Sequence, residues 1–177
     1  MKLYHGSPEP ALEILRPNAR LKSGKPLLYL TNNRTYSLFY IRDREIDFVT
    51  CGVDAKGVVH YDEKFKDQLW VLYHGRPGYI YITDQKAEKS EVNGIYICQE
   101  QARVTDVEYI PDVYEEILKE IENGNVIFHS FGSLSEEQKR INHQGIVHLL
   151  QNIPITPKKE AFIREYFPDA WKFTLEK

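Results

Sequence analysis

The sequence predicts an α+β domain. Three observations lead there. Short β-rich runs recur along the chain, at Leu27–Leu30, in IDFVTCGV (46–53), in GYIYIT (78–83) and in EVNGIYIC (91–98). Between and after them lie stretches with helical period and recognisable caps. With 177 residues and 42% apolar content, the chain is long enough for one domain with a sizeable core.

MKLYHGS (1–7) reads as a short strand carrying His5, then Gly6 and Ser7. Residues 8 to 25 read as a loop with a short helix, because Pro8 and Pro10 break the strand and Ala11, Leu12, Ile14 and Leu15 give a brief apolar face. Arg16, Arg20, Lys22 and Lys25 make this the densest basic run of the chain, either a solvated loop or a phosphate cradle. PLLYLTNNRTYSLFYIRD (26–43) starts as a strand, turns polar at Thr31 and Asn32, which are good N-cap types, and continues as a helix from about Thr35. Ser37 and Tyr40 are three apart and share a helix face. Together with Tyr29 they read as the wall of a ligand pocket or as plain amphipathic core.

Residues 46 to 60 look like a hairpin turning at Asp54–Gly57, and 62–73 like a helix with Phe65, Leu69, Leu72 and Tyr73 on its inner face. Val104–Ile110 reads as a strand, and Asp112 caps a helix that ends at Gly124. VIFHSF (126–131) is short and apolar. Ser135 with Gln138 forms a capping box for a helix to about Gln151, and Thr156 with Pro157 opens a last helix that Pro168 stops, leaving Trp171 and Phe173 to dock the tail. The expected organisation is a domain over 1–122 with a helical extension, 123–177, packed on it as one compact unit.

A net charge of −3 and a pI near 6.1 argue against a general nucleic-acid or anionic-membrane binder. No apolar run approaches the ~20 residues of a membrane span. Polar Lys2, Tyr4 and His5 do not make a signal peptide. Cys51 and Cys98 are far apart and read as free thiols of a cytoplasmic protein. His143 and His148 point to different helix faces and lack partners at ligand spacing, so no metal is expected. There is no phosphate loop, no GxSxG and no dinucleotide-binding glycine pattern.

His5-Gly6-Ser7 on one strand, Tyr29 on a second, and Ser37 and Tyr40 eight and eleven residues further on resemble the ADP-ribosyltransferase fold of the diphtheria-toxin and poly-ADP-ribose-polymerase type. The resemblance covers residues 1 to 45 well and 90 to 110 loosely. It implies a split, mostly antiparallel sheet with flanking helices and NAD as the bound substrate. By analogy His5, Tyr29 and the residue opening a third strand would be the catalytic set. Gly6 and Ser7 with Ser37 would hold the carboxamide end, Tyr40 would stack on the nicotinamide ring, and Arg16 and Arg20 would meet the diphosphate. The third strand places Ile95 where the family usually has Glu. Glu91 and Glu100 are the carboxylates near enough to stand in. The LYHG of residues 3–6 recurs at 72–75 without the Ser, so the tetrapeptide alone says little.

The chemistry suits these residue types. Cleaving the nicotinamide–ribose bond builds positive charge on the sugar, which a carboxylate stabilises. A glycine lets backbone N–H and C=O approach a carboxamide, tyrosine rings stack on the pyridine, and a histidine N–H can hold a ribose hydroxyl. The expectation is therefore an NAD-dependent mono-ADP-ribosyltransferase acting on a protein or nucleic-acid acceptor. The alternatives are a non-catalytic NAD or ADP-ribose binder, or an RNA 2′-phosphotransferase-like enzyme, whose pocket would need several arginines.

Overall fold

A computed structural model describes residues 1–20, 24–43, 45–46, 48–49 and 51–175, with the side chains of 19, 20, 174 and 175 outside the description. In chain order the elements are β1 (Leu3–Ser7), β2 (Ile14–Leu15), β3 (Ala19–Arg20), β4 (Pro26–Thr31), α1 (Arg34–Leu38), β5 (Cys51–Val53) and β6 (Val59–Asp62). There follow α2 (Gln68–Tyr73), β7 (Gly78–Thr83), β8 (Glu88–Lys89), β9 (Ile95–Cys98), β10 (Ala102–Arg103) and β11 (Asp106–Ile110). The chain closes with α3 (Val113–Glu122), β12 (Val126–His129), α4 (Glu136–Asn152), α5 (Pro157–Tyr166) and α6 (Pro168–Leu175).

The class is α+β. An antiparallel sheet runs β11-β7-β1-β4-β9-β8, with β3 added on β4. Side chains alternate across it, so each face builds its own core. Leu3, Leu28, Leu30, Tyr81 and Cys98 go to one face, where the β2–β10 ribbon adds Leu15 and Ala102. Ile80, Ile95 and Ile110 go to the other and pack on the helices. A second sheet, β12-β6-β5, joins the helical core through Val59, Tyr61 and Val126. Its β6–β12 ladder is parallel.

Local chemistry explains most helix starts. Asp112 accepts from Tyr114 N and Glu115 N at the head of α3. Ser135 and Gln138 form the reciprocal box at α4, and Thr156 accepts from Lys159 N with Pro157 inside the first turn of α5. Four expectations need correction. Residues 8–25 contain no helix among those described: Ile14 and Leu15 pair with Arg103 and Ala102 instead. The helix after β6 begins at Gln68, not Asp62, because β6 is paired with β5 as far as Tyr61 and with β12 as far as Asp62. The cap of α1 is Asn33, whose side chain accepts from Tyr36 N at 2.9 Å, because Thr31 is still paired with Tyr4 and Ile95. The helix opened by Pro157 does end ahead of Pro168, at Tyr166, but it is not the last: Pro168 opens α6, as a proline at a first helical position can, and Phe173 stays 57% exposed.

The 123–177 segment does not stand apart. Its β12 completes the second sheet, and Phe162 and Phe167 enter the main core, with Phe162 stacked on Phe48 at 5.6 Å and Phe167 edge-on to Phe65 at 5.3 Å. No helix among the described residues is long and apolar enough to cross a membrane.

Candidate functional site

Within the large sheet, β1 and β4 are paired through Tyr4 and Thr31. Beyond that pair His5 spans the two strands: its Nδ1 lies 3.0 Å from the Tyr29 carbonyl oxygen. A carbonyl can only accept, so Nδ1 carries the proton and the neutral ring has Nε2 as its acceptor. The Nδ1–H is spent on backbone.

The strands open onto a cleft of about 1030 Å³. Its floor is Leu27, Tyr29, Ile95 and Ile97, from β4 and β9. Tyr36 and Tyr40 form a wall, and His5 and Gly6 close one side. The rim carries Asn18, Arg42, Lys89, Ser90 and Glu91, with apolar Val92 beside them.

The wall is positioned by a close approach. A Cβ on Gly6 would lie 1.9 Å from the Ser37 carbonyl oxygen, so only glycine lets α1 sit this near β1. Arg34, at the start of α1, ties the helix to the rest of the molecule. Its Nε donates to Glu108 of β11 at 3.0 Å, Nη1 to Glu120 at 3.0 Å and Nη2 to Glu116 at 2.7 Å, both on α3. Its Nη2 also bonds Glu108. Glu120 in turn accepts from Thr35 Oγ1 at 2.8 Å and Asn125 Nδ2 at 2.7 Å. The neighbouring carboxylates hold the Arg34 guanidinium well above its usual range against the opposing effect of burial, the Glu108 bond contributing most.

The two wall tyrosines meet edge to face at 5.3 Å, and the Arg42 guanidinium lies 5.4 Å from the centre of the Tyr40 ring. Burial pushes both hydroxyls up from the usual tyrosine range, and the Tyr36 hydroxyl adds to the effect on Tyr40. Both rings are therefore neutral at physiological pH.

Of the residues singled out in the sequence, His5, Gly6, Tyr29, Tyr40, Ile95 and Glu91 meet on this one cleft. Ile95 is 6% exposed, paired with Thr31 at the start of β9, and Glu91 is exposed on the turn before it. Among the described residues, Glu91 is the one carboxylate that lines the cleft. Glu100 borders a separate polar cavity of about 780 Å³ with Asp84 and Lys86. Ser7 is fully buried and accepts from Glu9 N at 3.2 Å, closing a turn. Ser37 is fully buried behind the wall, its hydroxyl donating to the Arg34 carbonyl at 2.6 Å. Arg16 is exposed and away from the cleft wall. Arg20 contributes backbone to β3 while its side chain, like Lys22, lies outside the described residues.

Sequence reading passed over Tyr36, Asn18, Arg42 and Lys89. Tyr36 had a signal, its i, i+4 spacing to Tyr40, which is closer to the helical repeat than Ser37 to Tyr40. Arg42 and Lys89 had none beyond their charge. Among the described residues, no group of three His, Cys, Asp or Glu is arranged to hold a metal ion. No protein-family model matches the chain, and no curated protein or solved structure is detectably similar to it.

Proposed function

We propose that the tyrosine-walled cleft binds NAD at its nicotinamide end and that the protein transfers single ADP-ribose units to a macromolecular acceptor. The observation that supports this is convergence. His5 and Gly6, Tyr29, and Tyr36 with Tyr40 come from three separate segments and line one cleft of about 1030 Å³, large enough for a dinucleotide end. In this reading Tyr40 stacks on the nicotinamide ring and the backbone of Gly6 takes the carboxamide. His5 Nε2 accepts from a ribose hydroxyl, and Arg42 and Lys89 meet the phosphates. The reaction breaks the bond between nicotinamide and ribose C1 and forms one from C1 to an acceptor nucleophile. Nicotinamide leaves with the bonding electron pair, and the acceptor's proton goes to solvent. Glu91 would stabilise the cationic sugar from the rim. In the ADP-ribosyltransferase fold that the sequence resembles, some members carry a non-acidic residue at the Ile95 position and transfer single ADP-ribose units.

Ile95 also favours a second reading, a module that binds NAD without turning it over, since a buried isoleucine supplies no charge stabilisation. The 2′-phosphotransferase alternative would need several arginines at the cleft; among the described residues Arg42 is the one that lines it. Calorimetric titration with NAD, followed by incubation of radiolabelled NAD with cell lysate, separates these. Saturable binding with label transfer supports the enzyme, and binding without transfer supports the module. Absence of heat at millimolar NAD from folded protein would remove both.

A further inference from the structure

We infer that the groove between α4 and α6 is a binding site for single-stranded nucleic acid. This stands independently of the reading of the tyrosine cleft. A cavity of about 250 Å³ opens beside the turn at Lys64–Lys66 and the start of α6. It continues between α4 and α6 into a hollow of about 590 Å³, and Lys139, His143 and Asp169 line both. The inner cavity is below the roughly 300–1,000 Å³ of ordinary cofactor sites, and suits a single base.

Charge and aromatic surface coincide here. Lys64, Lys66, Lys139, Arg140 and Lys172 border the groove against the carboxylates of Glu136 and Asp169, in a chain whose net charge is −3. Lys139 is paired with Glu136 at 2.7 Å, Arg140 with Glu137 at 2.6 Å, and Lys172 lies 3.7 Å from Asp169. Lys64 and Lys66 have no ion-pair partner among the described residues. Lys64 is half-buried, and burial pushes its ammonium below the usual lysine range despite the opposing charge of Asp62, so an anion placed there would offset the remaining desolvation cost. Phe131 and Tyr166 line the inner cavity, with Lys139 5.5 Å from the Phe131 ring. In the outer hollow Phe173 is 57% exposed and stands edge-on to His143 at 5.9 Å.

Lysines take phosphates, and exposed rings take unpaired bases of any sequence. An acidic polypeptide would satisfy the lysines but leave the rings without a partner. A duplex keeps its bases stacked out of their reach.

The test is fluorescence anisotropy of a fluorescein-labelled oligothymidylate with the full chain at low salt. Binding is expected. Lys64→Glu/Lys66→Glu should weaken it at least about tenfold and reduce the salt slope by about 1.4, two single-strand phosphate contacts. Phe173→Ala should weaken it with the slope unchanged. Lys66→Glu alone, at an exposed position, keeps the test decisive if the double variant does not fold. Thermal melting and the NAD titration of each variant report separately on fold and cleft. The inference is overturned by absence of binding, by equal binding of duplex, by a lysine variant that binds as the parent does, or by polyglutamate competing as well as the strand.

Discussion

Replacing Arg34 by methionine removes a cation that three glutamates share while keeping much of the side chain's volume. Glu108, Glu116 and Glu120 then face one another across β11 and α3, and among the described residues Lys119 is the one cation paired with them, 3.3 Å from Glu116 and 67% exposed. Deleting one partner of a buried ion pair costs about 3–5 kcal/mol. Here the side chains of Arg34 and Glu108 are 30% and 38% exposed, so water screens part of the field and the expected loss is about 2–3 kcal/mol. The pH dependence carries the sharper test. Burial pushes the Glu116 carboxyl up, but the Arg34 and Lys119 bonds outweigh it and hold the group below the usual range. A depressed carboxylate pKa stabilises the fold above the unfolded value of about 4.3, and that contribution fades as pH falls through the folded value. Urea unfolding of parent and Arg34→Met should therefore differ fully at about pH 7 and converge below about pH 4. A deficit under about 0.5 kcal/mol, or one of the same size at both pH values, would refute the assignment of these charges as the clamp on α1.

Gly6→Ala should lower the melting temperature by about 5 °C or more, because its methyl group must displace the Ser37 backbone; an unchanged melt would show that α1 can shift freely. In the proposed reading Tyr40→Ala should weaken NAD binding by about 1–3 kcal/mol and Tyr40→Phe much less, since there the ring face would make the contact. Equal losses in calorimetry would place the hydroxyl, not the ring, in the contact. Glu91→Gln should slow nicotinamide release at least about tenfold with NAD affinity unchanged, and an unaltered single-turnover rate would exclude Glu91 as the stabilising charge. Phe162→Ala should cost about 3–5 kcal/mol in urea unfolding, as expected for a buried ring stacked on Phe48.

What the sequence made legible was what local chemistry decides. The strands around Tyr29, Ile80 and Ile97, and the caps at Ser135 and Thr156, need only near neighbours to be recognised. Ile14 and Leu15 looked helical because the strand that claims them, β10, comes 87 residues after Leu15 at Ala102. The stretch 62–67 looked helical because Phe65 fits the period of Leu69 and Leu72, whereas β12 pairs with β6 as far as Asp62. At the cleft, the sequence singled out segments that the fold brings together, and misjudged a rotation. Whether Ser37 or Tyr36 faces the cleft depends on how α1 seats against Gly6, a contact between residues 31 apart. The cations of the rim, Arg42 and Lys89, are brought together by the sheet and leave no periodic trace.

The parallel pairing of β12 with β6 bears on how the chain comes to be folded. Val59 meets Val126 across 67 residues, and the ring stack of Phe48, Phe65, Phe162 and Phe167 waits for residues still later. Such distant closures slow folding relative to local ones. A polypeptide halted after Glu122 would hold β6 with one edge unpaired and Phe48 and Phe65 without their cover, the kind of surface on which chaperones act and aggregates start. Synthesis from the N-terminus thus delivers the tyrosine cleft early, while the element that stabilises its surroundings emerges last. A protease that cuts between α3 and α4 should therefore release an insoluble fragment rather than two folded ones.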